Sequence, residues 1–169
     1  MTDVTWLDAT AQADLVRRGE ANPAELVDAA ITRIEALNPR LDAVIRTRFD
    51  QARAQAAGIL PDGPFRGVPI LLKDLGCFVA GEVTAFGLGP LKDVAWPVTS
   101  YLAGHFLAAG FVHLGRTNVP ELGTTVTTEA LSFPPASFDA AVAFYSLIHV
   151  PRGEQPQLLR PHAHPSASS

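Results

Sequence analysis

A lysine at the end of an apolar run is the residue of this sequence best placed for chemistry. Residues 67–75 read Gly-Val-Pro-Ile-Leu-Leu-Lys-Asp-Leu, so Lys73 follows a buried-strand pattern directly. An ammonium is costly to bury without a partner, so a lysine in such a place is either paired or deprotonated through a lowered pKa. A neutral amine accepts a proton, as a general base must. The alternative is a side chain that reaches into solvent from a strand end, and these residues alone leave both interpretations open.

Three nearby groups are candidates for a role beside this lysine. Asp74 would raise the pKa of Lys73 if the two paired, but neighbouring side chains of a strand point to opposite faces, so we expect no contact. Cys77, the only cysteine, has no neighbours that mark a lowered pKa, and we expect a partly buried structural thiol. Lys92, the only other lysine, lies in loop-like surroundings and is expected to be a solvated surface charge.

Two separated segments carry a family resemblance. Residues 65–74 (Phe-Arg-Gly-Val-Pro-Ile-Leu-Leu-Lys-Asp) and 115–123 (Gly-Arg-Thr-Asn-Val-Pro-Glu-Leu-Gly), followed by Thr-Thr-Glu at 127–129, resemble the N-terminal part of the amidase signature family. The resemblance begins near Asn22 and extends to about Glu129. It implies a partial amidase-signature α/β fold and hydrolysis of small-molecule amides. It also implies that Lys73 holds the position of the base in a serine–serine–lysine triad.

The sequence after this region departs from the family pattern. The family continues into a Gly-Gly-Ser-Ser-Gly-Gly segment with the bridging serine, whereas residues 130–138 here read Ala-Leu-Ser-Phe-Pro-Pro-Ala-Ser-Phe. Ser132, Ser137 and Ser146 lack that glycine-rich setting. A base without its nucleophile cannot carry out acyl transfer, because the members of the triad act as a unit. We therefore expect an amidase-family N-terminal fragment that is inactive on its own. The alternative is a non-catalytic interaction fragment.

The last quarter of the chain has a different character. Residues 133–160 resemble the late strand and following turn of class I S-adenosylmethionine-dependent methyltransferases, but the glycine-rich cofactor loop of that family is missing. A methyltransferase remnant in a fusion is thus a third alternative, and a frameshift or an assembly artefact stays open. We predict an amidase region at 1–130, an unrelated segment at 131–160 and a disordered tail at 161–169. No cofactor or metal site is expected, since His162 and His164 alone are too few ligands.

Composition and charge argue against some classes of binding partner and favour one cellular compartment. A formal net charge of −4 gives no footprint for nucleic acid, and no run is apolar enough to cross a membrane. One cysteine and the lack of a visible signal peptide favour the cytoplasm. The hydrophobic content of 47% fits one folded domain, and it also fits exposed apolar surface that promotes self-association.

Capping residues, turn residues and hydrophobic periodicity predict the helices and strands that position Lys73. The patterns predict an α/β fold in which N-terminal helices precede an incomplete mixed or parallel sheet. Helices are expected from Asp8 or Thr10 to Gly19, from Asn22 to Asn38–Pro39, over Phe49–Ala57 and over Ser100–Ala109. Strands are expected at Val68–Leu72 and Phe111–Leu114, with another starting at Val79–Ala80. Asn118 and Glu121 have capping-box spacing for a short helical turn.

Overall fold

The computed structural model describes residues 4–124 of the chain. Within that range, three β-strands and four α-helices alternate as an α/β fold. The predicted boundary at residue 130, the segment 131–160 and the tail 161–169 all lie outside the described residues. The elements are a 3-10 helix at Val4–Trp6, α1 (Ala9–Arg18), α2 (Pro23–Leu41), β1 (Val44–Thr47), α3 (Phe49–Ala57), β2 (Pro69–Lys73), a 3-10 helix at Gly89–Leu91, α4 (Tyr101–Ala108), β3 (Val112–Thr117) and a 3-10 helix at Glu121–Gly123.

The helix starts follow from capping side chains. Asp8 accepts a hydrogen bond from the backbone N–H of Ala11, and the ending of α1 at Gly19 uses a left-handed backbone that glycine adopts without strain. Asn22 and Glu25 form a reciprocal capping box ahead of α2, with 2.9 Å for each of its two hydrogen bonds. The predicted helix starts are therefore confirmed, as is α3.

The predicted end of α2 was wrong. The helix was expected to stop at Asn38–Pro39, yet it continues to Leu41 with Pro39 inside its last turn. Proline removes one backbone donor there, but other bonds hold the turn. Asp42 donates its N–H to the Asn38 carbonyl at 2.8 Å, and the Asn38 side chain bonds both the N–H and the carbonyl of Val44 at 2.8 Å. These bonds join the end of α2 to β1.

The three strands form one mixed sheet in the order β1-β3-β2. The central strand β3 runs parallel to β2 and antiparallel to β1. The sequence predicted the parallel pair but missed β1, and β3 extends to Thr117 rather than stopping at Leu114. The strand predicted at Val79–Ala80 is absent from the described structure. Ala80 donates its N–H to the Thr99 hydroxyl at 3.0 Å instead of to a neighbouring strand.

Both faces of the sheet are covered by apolar side chains. Val112 and Leu114 of β3 pack on α2 and α3, through buried residues that include Ile31 and Ala52. Other buried apolar side chains form two further clusters, one with Ala13, Val68 and Phe111 and one with Leu72, Cys77 and Ala103. Burial of each large apolar side chain stabilises the fold by about 1.5–3 kcal/mol. Packing on both faces explains why Ile70, Leu71 and Leu72 of β2 form a continuous apolar run rather than an alternating one.

A bulge in β3 changes which side chains share a face. Ile70 pairs with His113 and Leu71 with Gly115, so β3 holds one residue more than β2 at this point. Residues 113 and 116 would face opposite sides of a regular strand, and the extra residue inverts the alternation. Only glycine fits at position 115, because a Cβ there would lie 2.2 Å from the Arg46 carbonyl oxygen.

A charged cluster at the bulge fastens the loop after β2 to the sheet. Arg116 donates from Nη1 to the Cys77 carbonyl at 2.7 Å and from Nη2 to Glu82 Oε2 at 3.2 Å. Arg48 Nε lies 3.2 Å from Glu82 Oε1, and His113 Nδ1 lies 3.5 Å from Oε2, a contact that is electrostatic rather than a hydrogen bond. Burial raises the pKa of Glu82, but the neighbouring His113, Arg48 and Arg116 outweigh burial and hold the pKa below its ordinary value.

Removing the Glu82 carboxylate should destabilise this loop. We expect Glu82→Gln to lower the free energy of unfolding by about 1–3 kcal/mol at pH 7, since two guanidinium groups lose their shared carboxylate while the site stays partly open to solvent. Because the folded-state pKa is depressed, the stabilisation is complete above the ordinary value of 4.5 and is lost as pH falls through the folded-state pKa. Urea unfolding followed by circular dichroism at several pH values measures both effects.

The matched control is Glu35→Gln, which removes a carboxylate from the exposed face of α2. Its effect should stay within about 0.5 kcal/mol at every pH. Equal effects of the two substitutions at pH 7, or a difference that grows as the solution is acidified below pH 4.5, would contradict the role given to Glu82.

Candidate active site

Lys73 occupies the carboxyl end of the parallel strand pair. It is the last residue of β2 and lies opposite Thr117, the last residue of β3. Its side chain is exposed, and no carboxylate of residues 4–124 lies within ion-pair distance of its ammonium. In parallel α/β sheets, ligands bind outside the carboxyl ends of the strands, because the loops that follow the strands meet there. Lys73 therefore projects from the edge of the sheet where such a site would form.

Asp74 fixes the backbone that carries this lysine. Its side chain is fully buried, and both carboxylate oxygens accept from the Ala85 N–H at 3.1 Å. Its backbone N–H donates to the Thr117 carbonyl at 3.2 Å, and its carbonyl accepts from Phe86 at 3.1 Å. The prediction that Asp74 makes no pair with Lys73 is confirmed. The carboxylate instead ties the loop at 84–86 to the end of β2, a role that the sequence analysis missed.

The segment after β3 packs against the same loop. Leu122 donates its N–H to the Phe86 carbonyl at 2.8 Å, and a Cβ placed on Gly123 would lie 3.0 Å from the side chain of Leu75. The predicted helical turn exists at Glu121–Gly123, but the predicted capping by Asn118 was wrong, because its side chain accepts from Val119 at 2.8 Å. Two loops thus converge beside Lys73, one after each parallel strand.

Cys77 is not poised as a nucleophile. The thiol is buried, and burial raises its pKa above the ordinary value despite the opposing influence of Arg116 and of the backbone N–H and charge of Lys73. Only the thiolate attacks readily, so a raised pKa suppresses that chemistry. The predicted structural role of Cys77 is confirmed by its packing with Leu72 and Ala103.

No serine in the described region is available to Lys73. Ser100 is the only serine of residues 4–124, and its hydroxyl accepts from the Ala103 N–H and donates to the Phe78 carbonyl, each at 3.4 Å. It caps α4, at the start of the helix predicted from Ser100. The remaining candidates, Ser132, Ser137 and Ser146, lie outside the described residues. Residues 4–124 therefore place no serine hydroxyl where it could serve Lys73.

The other candidate residues from the sequence, Lys92 and the two tail histidines, form no site in the described residues. Lys92 is exposed and lies 4.0 Å from Asp93, which confirms a solvated surface charge. His162 and His164 lie outside the described residues, and residues 4–124 bring together no group of three metal-ligating side chains. None of the helices between residues 4 and 124 combines the length and apolar character needed to cross a membrane.

The sequence analysis overlooked the cluster in which His113 and Arg116 lie against the carboxylate of Glu82. His113 and Arg116 are among the most buried polar side chains of the described region, with exposed fractions of 1% and 2%. The signal that was present is a histidine and an arginine inside an otherwise apolar strand. A buried cation requires a counter-charge from elsewhere in the chain.

Comparison with known proteins shows which family shares this sequence and fold. The family model described as Amidase matches residues 25–137. The 6-aminohexanoate-cyclic-dimer hydrolase of Pseudomonas sp. (strain NK87) is 44% identical over 126 residues, which cover 73% of this chain and 25% of that protein. The acylamidase of Rhodococcus erythropolis is 34% identical over 125 residues, covering 70% of this chain and 26% of that protein.

Solved structures agree with the sequence comparison. A 6-aminohexanoate cyclic dimer hydrolase complexed with substrate superposes with a TM-score of 0.68 at 42% identity, covering 74% of this chain and 26% of that one. A bacterial aryl acylamidase of the amidase signature enzymes superposes with a TM-score of 0.66 at 30% identity, covering 74% of this chain and 28% of that one. The chain thus spans about a quarter of the length of the curated relatives it matches. With the family match covering most of the sequence and the fold in agreement, this chain belongs to the amidase family.

Proposed function

We propose that this chain supplies the lysine-bearing part of an amide hydrolase, with Lys73 in the role of general base. The observation that carries the proposal is the position of Lys73 at the carboxyl end of a parallel strand pair, inside the segment that matches the amidase family. In this role a neutral Lys73 takes a proton through a bridging serine from the serine that attacks the amide carbon. The chain offers no serine in the expected setting, so the 169-residue chain alone should not hydrolyse amides.

The proposed substrates are small molecules with an amide C–N bond. The support is chemical class alone: relatives at 34–44% identity are a cyclic-dimer hydrolase and an acylamidase. The matched region covers about a quarter of these relatives, so the substrate contacts that select among amides are expected in the part that it does not cover. We also propose a cytoplasmic location, on the grounds of the single cysteine.

A chimera tests the role of Lys73 directly. Residues 1–129 of this chain would replace the matching part of the Pseudomonas hydrolase, which keeps its own serines, and hydrolysis of the cyclic dimer would be measured. We expect an active chimera in which Lys73→Ala lowers kcat by at least about 10³-fold, the scale of losses on removal of a triad member.

Lys92→Ala is the matched control, because it removes the only other lysine of this chain. It should change kcat by no more than about twofold, since Lys92 lies exposed in a loop. A folded chimera without activity, or equal losses in the two variants, would contradict the proposed role of Lys73.

A second candidate function is non-catalytic association through apolar surface. A groove of about 310 Å³ lies between α2 and the sheet, with Ile34, Leu37, Leu41 and Leu71 among its lining residues. Leu37 is 46% exposed, an unusual position for leucine on a helix that faces a sheet. We propose that this surface supports self-association.

Sedimentation velocity of the full chain tests this candidate. The sedimentation coefficient should rise with protein concentration, and Leu37→Glu should reduce that rise, because a charge in the groove opposes apolar contact. Leu102→Glu is the control, since Leu102 is similarly exposed but does not line the groove. A monomer at all concentrations would contradict self-association.

The methyltransferase-like segment at 133–160 lies outside the described residues and stays a prediction. Calorimetry with S-adenosylmethionine tests it, and a result without binding would contradict it.

A further inference from the structure

A cavity of about 580 Å³ lies beside the charged cluster around Glu82, and Lys73 is not among its described lining residues. Two strands and one loop build it. β1 contributes Arg46, β3 contributes His113 and Arg116, and the loop after β2 contributes Glu82. Arg48, which directly follows β1, completes the charged lining.

The charges around this cavity do not balance. Three guanidinium groups line it, from Arg46, Arg48 and Arg116, whereas Glu82 is the only carboxylate among the lining residues that lie within residues 4–124. Arg48 and Arg116 both pair with that carboxylate, and Arg46 donates to the uncharged carbonyl of Lys92. The arithmetic is three positive charges against one negative charge, an excess of two before any charge on His113 is counted. Arg116 is buried, whereas Arg46 and Arg48 are partly exposed, so the cost of an unmatched charge falls mainly on Arg116.

Two donors in the same lining have no partner within the described structure. Arg116 is 2% exposed, and its Nε–H group makes no hydrogen bond even though both terminal nitrogens are bonded. Arg46 Nε is likewise buried and unbonded. An unsatisfied buried donor is rare in folded proteins and calls for a specific explanation. Two guanidinium donors without acceptors are suited to the oxygen atoms of a carboxylate or a phosphate group.

His113 adds a constraint on the ligand. Its Nε2 lies 2.8 Å from the Gly115 carbonyl, and because a carbonyl only accepts, Nε2 carries the hydrogen. Nδ1 lies 3.5 Å from Glu82 Oε2, so it is directed at that carboxylate rather than at a ligand in the cavity. The recognition elements for an anion are then the two unpaired Nε–H groups and the excess positive charge.

We propose that this cavity binds a small oxyanion, a carboxylate or a phosphate group, between Arg46 and Arg116. This site goes beyond amide hydrolysis, because Lys73 takes no part in it. The ligand would supply the acceptors that the two Nε–H groups lack and would offset the excess charge. The cavity is large enough for a small organic acid or phosphate ester rather than an inorganic ion alone.

Calorimetric titration of the full chain with inorganic phosphate and, separately, with acetate tests the site. Ionic strength is held constant with sodium chloride, so that general screening does not mimic binding. We expect saturable binding of at least one probe, and Arg46→Gln should weaken it by about tenfold or more through loss of a charge-assisted hydrogen bond. Arg40→Gln removes the same charge from the exposed end of α2 and should change the affinity by less than about twofold.

The two probes distinguish the sources of the anion. Binding of phosphate alone supports a phosphorylated ligand, and binding of acetate alone supports a carboxylic acid. Absence of saturable binding by both, or equal weakening in Arg46→Gln and Arg40→Gln, would overturn the proposal. Arg46 is chosen over Arg116 because Arg116 also holds the Cys77 carbonyl and its loss would disturb the fold.

A stability measurement keeps the test independent of the arginine variants. Glu82→Gln removes the one carboxylate that the described part of the lining holds, so a bound anion should stabilise this variant more than the parent chain. The melting temperature of Glu82→Gln is therefore expected to rise more steeply with the concentration of the probe that binds. An equal rise in both proteins, or no rise in either, would contradict a site in which the anion offsets the excess positive charge beside Glu82.

Discussion

The parallel pairing of β2 with β3 is the constraint on which the rest of the described structure depends. It brings Lys73 level with Thr117, so that the loops that follow the two strands leave the sheet at the same edge. The fully buried Asp74 then holds the first loop through Ala85 and Phe86, and the second loop bonds to the first through Leu122. An exposed lysine side chain thus has a rigid base, because its neighbours in sequence are bonded into two strands and two loops.

The bulge in β3 connects this edge to the charged interior. With one extra residue opposite β2, His113 and Arg116 both reach Glu82, and Arg116 also holds the Cys77 carbonyl four residues after Lys73. A single carboxylate serves two guanidinium groups there. The same arrangement fastens the loop and leaves positive charge in excess, so one structural device accounts for both the depressed pKa of Glu82 and the proposed oxyanion site.

The sequence predicted the local features best, because those depend on nearby residues. Caps such as Asp8 and the Asn22–Glu25 box lie within four positions of the groups they bond, and the predicted α1, α3 and α4 were confirmed. Strand β1 was missed because Val44–Thr47 is short and half polar, and it exists only because β3 offers a partner. The cluster at Glu82 was missed for a different reason. A regular alternation places residues 113 and 116 on opposite faces, and nothing in the local pattern reveals the bulge. Lys73 itself was found through its motif and family resemblance, and its exposed position at the strand end was one of two interpretations that the residues left open.

We propose that this chain carries the lysine of an amide hydrolase without the serine that the lysine would serve. Reaction of the full 169-residue chain with a fluorophosphonate, followed by mass spectrometry of the intact protein, measures whether an activated serine exists. We expect no stoichiometric adduct in the parent chain or in Lys73→Ala. A one-to-one serine adduct that forms in the parent and disappears in Lys73→Ala would contradict it, because it would show that Lys73 already has a working nucleophile.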